Sequence, residues 1–594
     1  MTRAPRSASP GAPDTALACD VLVIGSGASG LSAAVTAAHH GLSVIVAEKE
    51  PVFGGTTAIS GGWLWIPRNP LAVAAGIRED IDGPLAYLRS EMGPAADSPR
   101  VRAFLTAGPE MVSFFAANSA IEWIDGNGIP DFHESPGALA GGRSVSVAPF
   151  DGRRLGEWLD YLRPPLKEGT VWGMAIQGGA EMRHFFNATR DPASARVVAR
   201  RLARYGWQRL RHGRDLHLVN GNALVARLMR SALDKGVRLL RAAPALSLTR
   251  AGDRVTGAVL SLDGRPVSVT ARRGVVLAAG GFPHDRARLA RLVPHAGATG
   301  AGHQSAAPRG NSGDGLRLGE SVGGVVADDL VSATAMAPVS LVPQRDGSAR
   351  VFPHLVERAK PGIIAVTPDG RRFVNEADSY YDFQTALLKA TPAGAEPVAW
   401  LIADRRALRR WGLGAVRPFP FPVGPAIRAG YLRTGRTLAD LARVCGIDAA
   451  TLEASVARFN AGARAGEDPD FHRGASRYNH VQGDGGHRPN PSLGPLETGP
   501  FYAVRLVPGS LGTFAGLRTD ASARVLDRSG APIPGLFSVG NDMNSIMNGR
   551  YPSGGITLGP AMTFGYIAGR TLAGHENKTE LEEGSNELLR AGNP

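Results

Sequence analysis

The sequence predicts an α/β fold built on a parallel β-sheet, and three observations carry that prediction. Asp20-Val21-Leu22-Val23-Ile24 is a short apolar run ending in glycine, the signature of a strand buried on both faces. Gly25-Ser26-Gly27-Ala28-Ser29-Gly30 follows at once, and the alanine-rich stretch Leu31 to His40 suits a helix. Gly41 stops that helix, and Leu42 to Ala47 forms a second β-rich run closed by Glu48. Strand, glycine turn, helix and strand make one βαβ unit of the expected length.

The rest of the chain extends this core. Residues 1–17 are rich in Pro, Ala and Ser and are expected to form a disordered leader. From about residue 142 to 218 the chain is polar and basic, with helical stretches such as Pro192 to Tyr205, and reads as a helical insertion. Gly221 to Leu224 opens a helix that ends near Lys235-Gly236. Strands are expected at Val237 to Leu240, Val255 to Leu260, Val267 to Thr270 and Arg273 to Leu277, the last running into Gly280-Gly281. Residues 332–512 mix strands and helices, 513–574 return to strand–glycine–helix character, and 575–594 read as a flexible tail. The expected division is 18–331 and 513–574 for one domain and 332–512 for a second inserted into it.

Composition limits the function classes. Of 594 residues, 43% are hydrophobic and 20% charged, enough for a large core and too apolar for a disordered chain. Two distant cysteines, Cys19 and Cys445, exclude a disulfide framework and an all-cysteine metal site. No run of 18 apolar residues exists, so no stable membrane insertion is expected. The net charge of +13 comes almost wholly from arginine, since only six lysines are present. The arginines are spread out, densest from Arg196 to Arg214, without a zinc finger or aromatic-interleaved basic patch; no nucleic-acid partner is expected. Free thiols fit a cytoplasmic location, and the charge is compatible with peripheral contact at an anionic membrane.

The chemistry begins at Gly25-x-Gly27-x-x-Gly30. Gly25 permits the tight turn, Gly27 lets the backbone approach a pyrophosphate, and Gly30 lets helix and strand pack closely. The helix N-terminus faces the phosphates, and Glu48, eighteen residues after Gly30, can accept from ribose hydroxyls. Read alone, such a loop is a turn of any α/β protein. Further glycine clusters at Gly54 to Gly62, Asn311 to Gly315 and Leu536 to Asp542 point to FAD, a longer ligand bound across several loops.

In this order the clusters resemble the fumarate reductase/succinate dehydrogenase flavoprotein superfamily, and within it the 3-ketosteroid dehydrogenases. The resemblance runs from Cys19 to about Leu572 and is weakest across the insertion. Its marks are GGTTAISGGWLWIP at 54–67, IPDFHESPG at 129–137, RRFVNEADSYYDF at 371–383, FHRG at 471–474, GPFYA at 499–503, LGTFAGLRTD at 511–520 and GRYPSGGITLGPAMTFGYIAG at 549–569. It implies a Rossmann-type FAD-binding domain (glutathione-reductase-like, with mixed β elements) and an inserted α+β catalytic domain that caps the flavin. It places the cofactor at Gly25, Gly27, Ala28, Gly30, Glu48, Lys49, Gly55, Thr56, Thr57, Ser60, Gly61, Gly62, Ala279, Gly280, Asp314, Gly540, Asn541, Thr557 and Leu558. Relatives with covalent FAD use a histidine just before the segment matching Ala58 to Gly62; Gly55, Thr56 and Thr57 stand there, so the FAD is expected to be non-covalent.

The implied reaction is a desaturation next to a C3 ketone. Tyr551 and the backbone N–H of Gly555 match the groups that polarise the ketone, and Tyr380 matches the tyrosine that removes the C2 proton while C1 gives hydride to flavin N5. A tyrosine of ordinary acidity is a poor base near neutral pH. In Δ1-dehydrogenases a second tyrosine assists it, but Phe132 occupies that position here, leaving His133 or Tyr381 to substitute, or a different chemistry. Ser553, two residues after Tyr551, matches a serine of the 3-ketosteroid Δ4-(5α)-dehydrogenases, so Δ1 and Δ4 outcomes both stay open. Arg550 lies near the catalytic arginine of fumarate reductases, a third reading that the following Tyr-Pro-Ser-Gly-Gly opposes. The expected partners are a small apolar keto substrate, most simply a steroid contacting Phe132 and Tyr381, and a quinone-like or other electron acceptor.

Overall fold

The computed structural model describes residues 16–126 and 128–576. In chain order its principal elements begin with β1 (Leu17–Ile24), α1 (Ala28–His39) and β2 (Val44–Ala47). There follow α2 (Ala180–Asn187), α3 (Pro192–His212), α4 (Asn220–Asp234), β3 (Arg238–Leu240), β4 (Ala245–Ala251), β5 (Arg254–Leu262) and β6 (Arg265–Leu277). Next come α5 (Asp314–Ser321), β7 (Ile363–Val366), α6 (Tyr380–Ala390), β8 (Ala399–Ala403), β9 (Arg433–Gly435), α7 (Arg477–Gln482) and β10 (Phe501–Leu506). The chain closes with β11 (Arg524–Leu526), β12 (Pro532–Ser538) and α8 (Leu558–Leu572).

The main sheet has the order β11-β12-β6-β1-β2-β3, with β5 added to β6 and β4 to β5. Strands β12, β6, β1, β2 and β3 run parallel, and β11, β5 and β4 pair antiparallel. Val21, Leu22, Val23 and Ile24 are all buried, each side chain contributing roughly 1.5–3 kcal/mol. Register aligns Ile24 with Ala47 and with Leu277, and Leu277 with Ser538. The loops that follow these four residues therefore emerge along one carboxyl edge, where α/β sheets bind their ligands.

Two helices lock that edge from behind. In α8, a Cβ on Gly565 would fall 2.5 Å from the Ser29 carbonyl oxygen, and one on Gly569 2.6 Å from the Thr36 Cβ. The glycines thus let α8 lie directly on α1, and Ser32 Oγ donates to the Met562 carbonyl at 2.7 Å across the contact. A second, four-stranded antiparallel sheet, β7-β8-β10-β9, carries the core of the 332–512 region.

Several expectations need correction. The two strands expected between Val267 and Leu277 are one continuous strand of 13 residues, and β4 was not foreseen. The sharp alternation of β6 hid the join, because its two arginines, Arg272 and Arg273, face solvent midway. The insertion is helical only in its second half. Its first half holds strands at Ser144–Val147 and Phe150–Asp151 and a 3-10 segment at Gly152–Tyr161. Leu17, assigned to the leader, already belongs to β1; residues 1–15 of that leader, and the tail after Glu576, lie outside the described residues.

The insertion reaches across to the second sheet's region. Arg417 Nε donates to the Thr170 carbonyl at 2.9 Å, and ring contacts join Trp172 to Phe421 and Phe186 to Trp411, each at 5.3 Å.

Candidate active site

The dinucleotide loop has the geometry its glycines predicted. Gly25 has φ +110°, and a Cβ there would stand 2.1 Å from the Ala278 carbonyl oxygen. A Cβ on Gly30 would stand 2.2 Å from the Gly25 carbonyl oxygen, and one on Gly27 would meet only Thr57 Oγ1 at 3.7 Å. Gly27 therefore faces open space, as a phosphate cradle requires. Ala28 N donates to Thr57 Oγ1 at 3.1 Å, tying the helix start to the second glycine cluster. Glu48 is buried; it accepts from Ser26 Oγ at 2.6 Å and from Glu50 N at 3.0 Å, which fixes its carboxylate at the end of β2.

Around this loop the other assigned residues converge. Thr56 Oγ1 accepts from Asn311 Nδ2 at 3.0 Å, and the same amide donates to the Gly280 carbonyl at 3.1 Å. Lys49 Nζ donates to Ser312 Oγ at 2.9 Å and is ion-paired with Asp314 at the start of α5. Ser60 Oγ donates to the Thr57 carbonyl and accepts from Gly62 N, fixing the turn that contains Gly61. Gly55 and Gly62 hold φ of +49° and +71°. Gly540 has φ +64°, and a Cβ there would lie 2.4 Å from Ser29 Oγ, so β12 ends directly over α1. Asn541 approaches both Gly281 and Gly512 closely.

Asp542 was not among the predicted ligands. It is wholly buried, accepts from the backbone N–H groups of Ala279 and Gly281, and burial pushes its carboxyl up to about 6. Its role is to join the ends of β6 and β12 and so shape the loop beneath a cofactor. The open backbone at Gly27, the buried carboxylate of Glu48 and the ring of loops at one sheet edge fit an extended dinucleotide such as FAD.

The second half of the site is an aromatic box. Tyr380 opens α6, where Ser379 Oγ accepts from Asp382 N at 3.1 Å and caps the helix. Tyr551 sits in the turn before α8. Their rings meet edge-on at 5.0 Å. Phe132 stacks on Tyr551 at 5.9 Å and meets Tyr380 edge-on at 5.6 Å. Phe514 and Tyr381 close further sides at 5.7 and 6.2 Å from Tyr551. Sequence reasoning missed two members: Phe514, and Tyr478 of α7, whose ring is 4.8 Å from Phe132. Only an isolated aromatic in a polar stretch marked Tyr478.

The electrostatics assign different characters to the two phenols. Burial pushes both upward, and Tyr551 adds to the rise of Tyr380. Tyr380 and Thr557 act the other way on Tyr551 and lower it. Tyr551 is thus the more acidic phenol and the better donor to a ketone oxygen.

The Tyr551 turn is held from outside. Phe132 N donates to the Pro552 carbonyl at 3.1 Å, and Tyr87 Oη donates to the same carbonyl at 2.6 Å. Ser553 is buried and acts to lower the neighbouring Asp131. Asp131 also receives Arg143 at 2.7 Å and the Trp65 indole at 2.9 Å, while burial holds its carboxyl above the usual range. Gly555 has φ +98° and returns its carbonyl to Trp65 N at 3.1 Å; Thr557 and Leu558 then begin α8.

Neither substitute expected for the missing hydroxyl at Phe132 is available. Tyr381 Oη donates to the Gly549 carbonyl at 2.9 Å. His133 lies between Glu91 and Asp382 at 2.7 and 2.9 Å. Against burial, which opposes its charge, those carboxylates push it up to about 10, so it is a paired cation.

The sequence matches the model of the FAD binding domain family over residues 20–558. It is 42% identical over 94% of its length, and 94% of the other's, to the 4-oxocyclohex-2-ene-1-carboxylate 5-dehydrogenase of Sinomonas cyclohexanicum. It is 34% identical to the 3-oxosteroid 1-dehydrogenase of Mycolicibacterium smegmatis, covering 93% of this chain and 97% of that one. The fold superposes on the crystal structure of 3-ketosteroid Δ1-dehydrogenase from Sterolibacterium denitrificans in complex with 1,4-androstadiene-3,17-dione with a TM-score of 0.85 at 35% identity, covering 94% and 99% of the two chains. The chain therefore belongs to the FAD-binding flavoproteins related to the 3-ketosteroid dehydrogenases and is an FAD-dependent oxidoreductase.

Proposed function

We propose that the protein desaturates a cyclic ketone at the carbon–carbon bond next to its carbonyl. The observation that carries this is the pairing of two buried phenols of unequal acidity, Tyr551 and Tyr380, in an apolar box. Tyr551, with the Gly555 N–H, holds the ketone oxygen and the charge that develops on it. That polarisation acidifies the adjacent C–H, and Tyr380, ionised to its phenolate, takes the proton and becomes a neutral phenol. FAD, bound non-covalently, supplies the oxidant that receives hydride from the neighbouring carbon. Phe132, Phe514 and Tyr381 exclude water and orient a flat ring.

Ser553 belongs to the Asp131 network that holds the Tyr551 turn, which supports Δ1-type over Δ4-type desaturation. Two substrate classes deserve test. The 42% identical relative is named for a monocyclic oxo-carboxylate, which favours a small ring ketone. The relatives named for 3-oxosteroids, and the steroid in the superposed structure, favour the larger substrate. Anaerobic mixing with 4-oxocyclohexanecarboxylate, 4-androstene-3,17-dione and 5α-androstane-3,17-dione, following the visible flavin band, decides between them. Bleaching by at least one is expected; no bleaching by any refutes ketone desaturation. The acceptor that reoxidises the enzyme is proposed to be quinone-like. A basic face on α3, where Trp207 and Leu210 are 63% and 88% exposed beside Arg200, Arg204 and Arg211, supports peripheral approach to an anionic membrane. No helix among the described residues is long and apolar enough to cross one.

A further inference from the structure

The turn that carries Tyr551 and Gly555 is held at both ends by one buried unit that does no chemistry itself. At the first end the Pro552 carbonyl accepts from Tyr87 Oη at 2.6 Å and from Phe132 N at 3.1 Å. At the second the Gly555 carbonyl accepts from Trp65 N at 3.1 Å. Proline sets its own φ and the peptide unit is planar, so a carbonyl held by two donors also fixes the backbone on either side of it.

Tyr87 and Trp65 reach those carbonyls from separate elements, the helix Asp82–Met92 and the strand Leu64–Trp65. One guanidinium joins them. Arg143, 1% exposed, lies over the Tyr87 ring at 5.6 Å and the Trp65 ring at 6.0 Å. Its Nη1 donates to Asp131 Oδ2 at 2.7 Å, and Asp131 Oδ1 accepts from the Trp65 indole at 2.9 Å. Its Nη2 donates to Glu79 Oε2 at 2.6 Å and to the Gly137 carbonyl at 2.8 Å. Gly137 has φ +81°, and a Cβ there would stand 2.5 Å from Tyr87 N, so the loop 129–139 lies directly on the helix that bears Tyr87. His133 N closes the unit by donating to Tyr87 Oη at 3.5 Å. The Tyr87 hydroxyl thus accepts from one side and donates to Pro552 on the other. Burial, with the charges of Asp131 and Glu91, keeps its proton in place, so it stays a neutral donor.

We propose that Tyr87 is a positioning residue for the ketone-polarising turn: held by the Arg143–Asp131–Trp65 unit, it keeps Tyr551 and the Gly555 N–H in the arrangement that an enolate oxygen requires. Tyr87 and Asp131 act through the turn and do not touch the substrate. A hydrogen bond to a charged oxygen is stronger than one to a neutral ketone, so a loosened turn costs the charged state more than ketone binding. The proposal rests on the ketone-desaturation reading, so one of its measurements needs no turnover.

The test compares the FAD-loaded full chain with Tyr87→Phe and Asp131→Asn. Tyr87→Phe removes one oxygen and leaves Pro552 the Phe132 N–H; Asp131→Asn leaves Trp65 an acceptor and Arg143 its bond to Glu79. Each protein is titrated at pH 9 with 4-cyanophenol, whose ionised ring imitates an enolate, and with benzonitrile, the same ring without the charged oxygen. The visible flavin band reports binding. Tyr87→Phe should weaken 4-cyanophenolate about tenfold and benzonitrile less than about twofold, a smaller effect than outright loss of an oxyanion donor. Asp131→Asn should shift the same ratio in the same direction. With whichever ketone is active, the limiting rate of anaerobic flavin reduction should fall about tenfold in Tyr87→Phe, the half-saturating concentration staying within about twofold of the parent. Unchanged 4-cyanophenolate binding in Tyr87→Phe, or equal weakening of both ligands, overturns the proposal, the second result marking plain packing. If Tyr87→Phe does not hold FAD, Asp131→Asn decides by the same ratio; failure of both to hold FAD shows a structural role alone and overturns the proposal too. A parent that neither binds 4-cyanophenolate nor is bleached by any ketone sinks the desaturation reading and this proposal with it. A parent that does both, while Tyr87→Phe matches it, sinks the proposal alone.

Discussion

Gly555→Ala tests the ketone-binding turn most sharply. The residue has φ +98°, a conformation that costs an L-residue about 1–3 kcal/mol. The new Cβ would also stand 2.6 Å from Trp65 N and 2.8 Å from both the Leu64 carbonyl carbon and the Trp63 carbonyl oxygen. These are backbone atoms, so no side chain can swing away, and overpacking adds about 1–3 kcal/mol. The variant should therefore lose about 2–6 kcal/mol locally unless the turn rotates. Rotation moves the Gly555 N–H, and losing one such donor slows an oxyanion-forming step by about 10²–10³. The assay is anaerobic stopped-flow flavin reduction on protein with full FAD content, alongside urea unfolding. The reasoning requires a lower unfolding midpoint, a rate at least about a hundredfold lower, or both. A variant with parental stability and parental rate would show that Gly555 neither needs its backbone conformation nor donates to the ketone.

Three further outcomes follow from the same geometry. Ser553→Ala removes a buried hydroxyl that acts on Asp131 and should cost about 1–3 kcal/mol of stability, with flavin reduction slowed less than about tenfold; a loss beyond a hundredfold would restore serine to the chemistry. His133 is raised to about 10 in the fold by Asp382 and Glu91, against the opposing effect of burial. Its charge therefore stabilises fully below the ordinary histidine value near 6.5 and ceases to do so as pH rises through about 10. His133→Gln should then be less stable than the parent at pH 7, and the gap should close above pH 10; a constant gap refutes the pairing. Cosedimentation with phosphatidylglycerol vesicles should be weakened in Trp207→Ser/Leu210→Ser and by salt, and absent with phosphatidylcholine alone; equal binding to both lipids would discount the α3 face.

The βαβ unit was legible because its signals are local: an apolar strand, three glycines at fixed spacing, and an acid at the next strand end. Gly25 and Gly30 make the close backbone approaches that those positions demand, and Glu48 accepts from Ser26 at the end of β2. The end-on alignment of Ile24, Leu277 and Ser538 was foreseeable only in outline, since it joins segments more than 250 residues apart. Tyr380 and Tyr551 came from family resemblance, and the structure brings their rings together. Tyr478 escaped because only the fold brings it against Phe132, and the segment ending in Asp542 was singled out without the backbone bonds that Asp542 accepts. Burial is a tertiary property, and so is the choice of Tyr381 to bond Gly549 rather than to assist its neighbour.

The most direct test of the central claim is Tyr380→Phe in the FAD-loaded protein, mixed anaerobically with the ketone that bleaches the parent. The account predicts that FAD stays bound and the ketone still perturbs the flavin spectrum, while reduction slows at least about a hundredfold, as loss of a general base requires. Reduction at the parental rate would contradict it, and would remove Tyr380 from the chemistry.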